Sequence, residues 1–406
     1  MARVDQAERF GPYQVYERLG AGGMATVDRA TIDIGAGVIR EVALKRLLPQ
    51  LADDKVFIED FIREGKLAAQ LDHPNIVHIY ELGQANRIYF IAMELVRGHS
   101  LMALMKAAHA AQRPAPIGVV VALLSELTSA LEYASAGRGL YGQRLEIIHR
   151  DLTPSNLIVT DDGRLKIIDF GVAKALSGTF MTNTGLVKGK LGYMSPEALT
   201  GTGLDGRTDI FSVGIVAWEL LTGRRLFRGV NEYEVISKIQ QLRIEPPSLF
   251  NRACPAELDV IVQTALARSR EHRWPDAAAM RSALDQVRRL HADGPTQVAA
   301  WKSSLIPPRS SPVRMPAPRA TPQRVRADSE ESLMQLSTID LLLTPDPDLI
   351  TPDPELAEGS VKKPKRLEVT TSRRPRDADP TLPRGNPDDD DEYTDVDASI
   401  PVTRED

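Results

Sequence analysis

The stretch IHRDLTPSNLIVTDDGRLKIIDFG, residues 148–171, contains the features that decide the fold. Its apolar runs at 157–159 and 165–168 flank the tight-turn sequence Asp161-Asp162-Gly163, so it predicts two strands joined by a hairpin turn. The hairpin brings two carboxylates and one carboxamide to one locus, namely Asp151, Asp169 and Asn156. Phosphoryl transfer requires such a set, because one carboxylate orients the incoming hydroxyl while other oxygen atoms bind metal on the phosphates.

Two weaker signals precede this stretch. The sequence LGAGGMATV at 19–27 is rich in glycine, which lets a backbone approach phosphate groups closely, although a simple hairpin turn has the same composition. The sequence VALK at 42–45 places Lys45 on an apolar strand, where a lysine usually faces solvent.

A predicted helix at residues 55–71 strengthens both signals. One face of this helix carries residues at spacings of four, three, four and three, namely Phe57, Phe61, Glu64, Ala68 and Leu71. A carboxylate on an apolar face is costly unless it is paired. We therefore expect an ion pair between Glu64 and Lys45.

Together these motifs resemble the eukaryotic-like (Hanks-type) protein kinase superfamily, and most closely its bacterial Ser/Thr branch, over about 280 of the 406 residues. The resemblance implies an α+β, two-lobed protein kinase fold. We expect an N-terminal extension (1–11) and a kinase domain (12–290). The domain would have a small antiparallel β lobe with one helix (12–95) and a larger, mainly helical lobe (96–290). A disordered tail, rich in Pro and Arg and then acidic, would follow (291–406).

The resemblance also implies roles for individual residues, with ATP and Mg²⁺ as cofactors and Mn²⁺ as a substitute metal. Asp151 would be the catalytic aspartate, Lys45 would hold the α- and β-phosphates with support from Glu64, and Asn156 and Asp169 would bind the metal. The nucleotide would contact the glycine-rich loop, the two adenine-sandwiching strands, the gatekeeper Met93 and the hinge. These residues are Leu19, Gly20, Ala21, Gly22, Gly23, Met24, Ala25, Thr26, Val27, Ala43, Lys45, Met93, Glu94, Val96 and Ile158.

Further along, Ser195-Pro196-Glu197 resembles the family's alanine-proline-glutamate motif. The resemblance implies that Arg273 bridges Glu197 and that Asp209 caps the backbone of the catalytic loop, although Asp209 could equally be an ordinary helix N-cap.

Three positions depart from the family pattern. Ala25 replaces the third loop glycine. Thr153 stands where a phosphate-contacting lysine is usual, and Lys190 stands where its threonine partner is usual. We expect these last two residues to be a swapped pair, so that Lys190 is a catalytic residue. The alternative is that Lys190 points to solvent or toward substrate and that Thr153 merely weakens catalysis.

Two rival functions remain open at this point. A pseudokinase, that is, a nucleotide-binding scaffold, is supported only by Thr153. A tyrosine kinase is less well supported, because the segment after Asp151 lacks the alanine-arginine pattern of that group. Protein substrates are expected in either kinase reading.

Composition limits the partners and the location. A net charge of −5 argues against nucleic acid as the main partner, and the single cysteine, Cys254, excludes an intrachain disulfide. No apolar leader occurs near the N-terminus, and the apolar run Ile210–Leu221 is too short to span a bilayer. These features predict a cytoplasmic protein without membrane contact.

Threonines suggest how the protein is regulated. Thr182 and Thr184 lie between Asp169 and Ser195, where phosphate could pair with Arg150. In the tail, Thr394 has an acidic residue three positions later, a spacing that resembles ligands of forkhead-associated domains; an inert tail is equally compatible. We expect deletion of residues 300–406 to leave kinase activity intact.

Overall fold

The computed structural model describes residues 8–307, except 139–141, 143, 145, 171–189, 202 and 292. All the described residues belong to one compact unit. The tail after residue 307, which the sequence predicts to be disordered, lies outside the described residues.

The small lobe is an antiparallel sheet with one helix. Its elements are β1 (Glu8–Phe10), β2 (Tyr13–Ala21), β3 (Ala25–Asp33), β4 (Ile39–Leu47), α1 (Lys55–Ala68), β5 (Ile79–Ala85) and β6 (Ile88–Glu94). The sheet order is β1-β2-β3-β4-β6-β5. Helix α1 begins after Asp54, whose carboxylate accepts a hydrogen bond from the Val56 amide at 3.0 Å. Phe61 anchors α1 on the sheet against Leu47 and Ile91.

The large lobe is mainly helical. Its helices are α2 (Leu101–Ala110), α3 (Ile117–Ala136), α4 (Pro196–Thr200), α5 (Arg207–Thr222), α6 (Glu232–Gln241), α7 (Ala256–Ala265), α8 (Ala277–Arg288) and α9 (Pro295–Leu305). A small antiparallel sheet completes the lobe: β7 (Gly98–Ser100), β8 (Leu157–Thr160) and β9 (Leu165–Ile167). The predicted two-lobed fold, with a β lobe that carries one helix, is confirmed.

Helices α3 and α5 form the centre of the large lobe, because their apolar side chains are buried on nearly every face. Among the described helices, α3 is the one long and apolar enough to cross a membrane, with a mean hydropathy of 1.5. It lies in the core, where 78% of that apolar stretch is buried. The membrane-span candidate considered from the sequence was Ile210–Leu221, which is likewise a buried core segment, in α5.

The structure differs from the predicted domain boundaries at both ends. Strand β1 lies within the predicted extension 1–11 and pairs with β2. Helix α9 lies within the predicted disordered tail and packs on α2 and α3. Val298, Trp301 and Lys302 are buried there, and the Lys302 ammonium donates to the Thr160 carbonyl oxygen and to the Asp161 carboxylate. The folded unit therefore extends past residue 290 to at least Leu305.

The turn between β8 and β9 explains why α9 fits. Gly163 has a φ of +84°, and a Cβ there would lie 1.9 Å from the Pro295 carbonyl oxygen at the start of α9. Only glycine permits both this turn and this close approach. Helix α9 thus rests on the hairpin whose strands follow Asn156 and precede Asp169.

Candidate active site

Lys45 joins the two lobes. It lies on β4, and its Nζ is 2.6 Å from Oε1 of Glu64 on α1 and 2.9 Å from Oδ1 of Asp169, just after β9. Burial disfavours the charge on Lys45, but the carboxylates of Asp169 and Glu64 outweigh burial and raise the pKa of its ammonium. Lys45 is therefore a permanently charged group between two carboxylates. The ion pair expected from the position of Glu64 on α1 is formed.

Asp151 and Asn156 lie in the loop before β8. The Asn156 side-chain amide donates to the Asp151 carbonyl oxygen at 2.8 Å and approaches the Asp151 carboxylate at 3.4 Å. The Asn156 carbonyl oxygen accepts from the Ile168 amide at 2.9 Å. Because Ile168 immediately precedes Asp169, the hairpin brings the three polar side chains predicted from the sequence to one place.

Asp209, in the first turn of α5, fixes the backbone of this loop. Its carboxylate accepts hydrogen bonds from the amides of His149 at 2.7 Å and Arg150 at 2.9 Å. Burial raises the pKa of Asp209 to about 6, although the two amide hydrogen bonds favour its ionised form. The expected cap on the catalytic loop is therefore present.

Two residues near these carboxylates have unusual backbone conformations. Arg150 has a φ of 63° and Asp169 a φ of 56°, in the left-handed region that residues other than glycine seldom adopt. Phe170, which follows Asp169, is buried, and its ring centroid lies 4.7 Å from that of His149. Such strain is found mainly where the surrounding structure holds a functional group in place.

Lys190 also reaches this locus. Its Nζ lies 2.6 Å from Oδ2 of Asp151. Thr153 is buried, and its Oγ1 has no hydrogen-bond partner among the described residues. The structure thus places an ammonium from the far end of the segment 171–190 against Asp151.

An apolar cluster lies between the sheet and the hairpin. It contains predicted nucleotide-site residues from β3, β4, β6 and the segment after β6, namely Val27, Ala43, Met93 and Val96. It also contains Val77 and Ile168, which the sequence analysis did not assign to the nucleotide site. Ile158 lies on β8 opposite Lys166 and is not among the cluster residues.

The glycine-rich stretch is the hairpin between β2 and β3. Gly20 pairs with Val27 and Ala21 with Thr26, while the Gly22 amide donates to the Ala25 carbonyl oxygen at 2.8 Å. Leu19 is 49% exposed. Gly23 and Met24 complete the connection.

Glu94 is the last residue of β6, and both its backbone and its side chain contact other parts of the protein. Its amide donates to the His78 carbonyl oxygen at 2.9 Å. Its carboxylate lies 2.6 Å from Nζ of Lys166 on β9. The ion pair ties the end of the small-lobe sheet to the hairpin of the large lobe.

The expected pair of Glu197 with Arg273 is formed and buried. Two guanidinium nitrogens of Arg273 lie 2.6 and 2.8 Å from the Glu197 carboxylate oxygens, and the Thr208 hydroxyl donates to Glu197 at 3.0 Å. Residues 171–189, and with them Gly171, Thr182 and Thr184, lie outside the described residues.

The donor set at the hairpin suits a hard divalent cation. Asn156 and Asp169 offer amide and carboxylate oxygens, which Mg²⁺ prefers, and Mg²⁺ usually takes only one or two protein ligands beside phosphate oxygens. In keeping with this, the described residues contain no group of three or more His, Cys, Asp or Glu side chains arranged to enclose a metal.

Comparison with known proteins agrees with this geometry. The family model of the protein kinase domain matches residues 13–284. The tyrosine-protein kinase MasK of Myxococcus xanthus is 39% identical over 291 residues, which cover 72% of this chain and 45% of MasK. The serine/threonine-protein kinase PrkC of Bacillus subtilis is 38% identical over 272 residues, which cover 66% of this chain and 39% of PrkC. The chain thus spans less than half the length of these relatives.

Solved structures give the same result. The crystal structure of a point mutant of the Mycobacterium tuberculosis PknI kinase domain is 27% identical, with a TM-score of 0.51, and the match covers 70% of this chain and 99% of that domain. The family match, the relatives and the two-lobed site therefore agree. The chain belongs to the protein kinase domain family.

Proposed function

We propose that this protein is a serine/threonine protein kinase, which transfers the γ-phosphoryl group of ATP to hydroxyl groups of proteins. One observation carries the proposal. Lys45, Glu64, Asp151, Asn156 and Asp169 form one connected set of contacts between the lobes. This set contains the charged and oxygen-bearing groups that phosphoryl transfer requires.

In the proposed reaction, the substrate hydroxyl oxygen forms a bond to the γ-phosphorus. The bond from that phosphorus to the bridging oxygen breaks, and its electron pair leaves with ADP. Asp151 orients the hydroxyl and accepts its proton. Lys45 binds the α- and β-phosphates, and Glu64 holds Lys45 in place.

Asn156 and Asp169 would hold Mg²⁺, or Mn²⁺ as a substitute. A bound divalent cation neutralises part of the phosphate charge. The chain's own contribution is to fix both oxygen ligands on the two ends of the β8–β9 hairpin. The hydrogen bond from the Ile168 backbone amide to the Asn156 backbone carbonyl oxygen maintains the spacing of these two residues.

The apolar cluster around Ala43 and Met93 would receive the adenine, and the β2–β3 hairpin would cover the phosphates. Val27 and Val96 belong to that cluster. The backbone of Glu94 and Val96 would bond the adenine edge. Ile168, rather than Ile158 alone, is positioned to form the lower surface of this pocket.

The scaffold alternative has little support. Each charged group expected for catalysis is present, and Lys45, Glu64 and Asp169 are already in contact. The tyrosine alternative has one supporting fact, the name of the relative MasK, against the names of PrkC and of several further relatives. The identity of the phosphorylated amino acid distinguishes these readings.

The test uses ATP labelled at the γ-phosphate and a generic basic protein substrate. We expect Asp169→Ala and Asp151→Asn to lower the rate by about 10²–10³-fold or more, because each removes a preorganised charged contact. Asp162→Asn is the matched control, since this 70% exposed carboxylate lies in the turn of the same hairpin. Near-normal turnover by Asp169→Ala or Asp151→Asn would contradict the assignment.

We further propose that phosphorylation of Thr182 and Thr184 activates the enzyme, and that phosphorylated Thr394, with Asp397 three residues later, binds a forkhead-associated partner. Mass spectrometry of the fully active protein tests the first idea, and would contradict it by showing no phosphate at either threonine. Binding of a tail phosphopeptide, compared with its Asp397→Ala form, tests the second. We also propose a cytoplasmic location; the burial of α3 in the large lobe argues only against α3 as a membrane span.

A further inference from the structure

We propose that Lys190 supplies the cation that stabilises the transferring phosphoryl group, and that the activation segment, rather than the catalytic loop, delivers this charge. The inference rests on the proposed kinase function and adds to it. If Lys190 supplies this charge, phosphoryl transfer depends on the position of the end of the activation segment.

The position of the Lys190 ammonium is the first observation. Its Nζ contacts Oδ2 of Asp151 at 2.6 Å, the carboxylate that would orient the attacking hydroxyl. The Lys190 side chain is 42% exposed, whereas that of Asp151 is 9% exposed. The ammonium therefore bonds Asp151 from a side chain that is still partly accessible to solvent.

The anchoring of the Lys190 backbone is the second observation. Its carbonyl oxygen accepts from the Tyr193 amide at 3.0 Å, in a turn whose residues Leu191 and Tyr193 are buried. The Tyr193 carbonyl oxygen in turn accepts from the Ser212 hydroxyl at 2.8 Å, and its phenol donates to Glu219 at 2.8 Å. Both partners lie on α5, so the base of Lys190 is fixed to the core of the large lobe.

Thr153 is the third observation. It lies two residues after Asp151 on the catalytic loop, is 4% exposed, and has an Oγ1 without a hydrogen-bond partner among the described residues. A buried hydroxyl without a partner is unfavourable, so such a group is suited to donate to a bound anion. The loop thus offers a hydroxyl at this position, and Lys190 offers the charge.

Two other described cations lie near the site. Lys45 already contacts Glu64 and Asp169. The Arg150 amide donates to Asp209, and the Nε of its guanidinium is buried without a hydrogen-bond partner among the described residues. As ADP leaves and the hydroxyl proton moves to Asp151, the phosphoryl oxygens carry negative charge beside Asp151. Among the described groups, Lys190 is the cation within hydrogen-bond distance of that aspartate.

The consequence is a direct link between the activation segment and the chemistry. Lys190 ends the stretch 171–190 that contains Thr182 and Thr184. The cation is held there by the turn Leu191–Tyr193 and its contacts with α5.

The test is the steady-state kinetics of Lys190→Ala, with Lys188→Ala as a control that removes the same charge from the same segment. We expect Lys190→Ala to lower kcat by about 10²-fold while the KM for ATP changes less than about twofold, because a transition-state contact is lost. Lys188→Ala should retain kcat. A wild-type kcat in Lys190→Ala, or a raised KM with kcat unchanged, would overturn the proposal.

A second set of variants addresses the swap itself. Thr153→Lys alone should lower kcat, because it places two ammonium groups together, and Thr153→Lys with Lys190→Thr should recover at least tenfold over Lys190→Thr alone. If Lys190→Ala is also less stable than the wild type, the double variant tests the inference instead. Recovery of kcat in the double variant supports the role of Lys190, and no recovery overturns it. An inactive wild-type protein would instead contradict the proposed function, so the two failures are distinguishable.

Discussion

Replacement of Trp301 by alanine tests whether α9 belongs to the folded kinase unit. Trp301 is 7% exposed, in a segment whose composition suggests a disordered tail. A buried tryptophan removes about 150–250 Å² from water, which at about 25 cal/mol per Å² corresponds to about 4–6 kcal/mol. Its Nε1 has no hydrogen-bond partner among the described residues, and burying an unpaired donor costs free energy. We therefore expect Trp301 to contribute about 3 kcal/mol to the free energy of unfolding.

Thermal unfolding measures this effect. For a domain of about 300 residues, each kcal/mol lowers Tm by about 2 °C, so Trp301→Ala should melt about 6 °C below the wild type. Leu290→Ala is the matched control, since this 75% exposed leucine lies just after α8 and should change the free energy of unfolding by less than about 0.5 kcal/mol. Equal melting temperatures for Trp301→Ala and Leu290→Ala would refute the role assigned to α9.

Two further predictions concern ion pairs. Burial raises the pKa of Glu197, but the hydrogen bond and charge of Arg273 outweigh it and lower that pKa below the ordinary 4.5. The stabilisation is therefore complete above about pH 4.5 and is lost as the pH falls through the lower folded pKa. Urea unfolding should show the stability advantage of wild type over Glu197→Gln shrinking as the pH falls below about 4.5; a constant difference would contradict this. Lys45→Met removes the cation between Glu64 and Asp169. Initial-rate measurements should therefore show a loss of about 10²-fold or more in kcat/KM for ATP. An unchanged kcat/KM would show that Lys45 does not bind the nucleotide.

The hairpin and its polar groups could be predicted because their determinants are local. Asp161-Asp162-Gly163 permits only a tight turn between two apolar runs, and the turn fixes the separation of Asn156 and Asp169. The Lys45–Glu64 pair was predictable for a related reason. A carboxylate in the middle of an apolar helical face requires a partner.

Helix α9 was missed although a short local pattern exists. Val298, Trp301 and Leu305 form an apolar stripe at helical spacing, but a Pro-, Ser- and Arg-rich stretch follows it directly. Its stability comes from tertiary contacts with α2 and α3 and from the fit of Pro295 over Gly163. Strand β1 is similar, because three residues acquire a strand conformation only by pairing with β2.

The expectation about truncation changes accordingly. A chain that ends at residue 299 would cut α9 and remove the buried Trp301 and Lys302. The sequence-based expectation that residues 300–406 are dispensable therefore applies only to the part after residue 307. Val77 and Ile168 of the apolar cluster were missed for a similar reason, since only tertiary packing brings them beside Met93.

The central claim is that Asp151 directs phosphoryl transfer to serine or threonine. Purified wild type and Asp151→Asn, incubated with γ-labelled ATP and Mg²⁺ and then hydrolysed to amino acids, test it most directly. We expect labelled phosphothreonine or phosphoserine from the wild type, and only background label from Asp151→Asn. Label confined to phosphotyrosine, or equal label from both proteins, would contradict it.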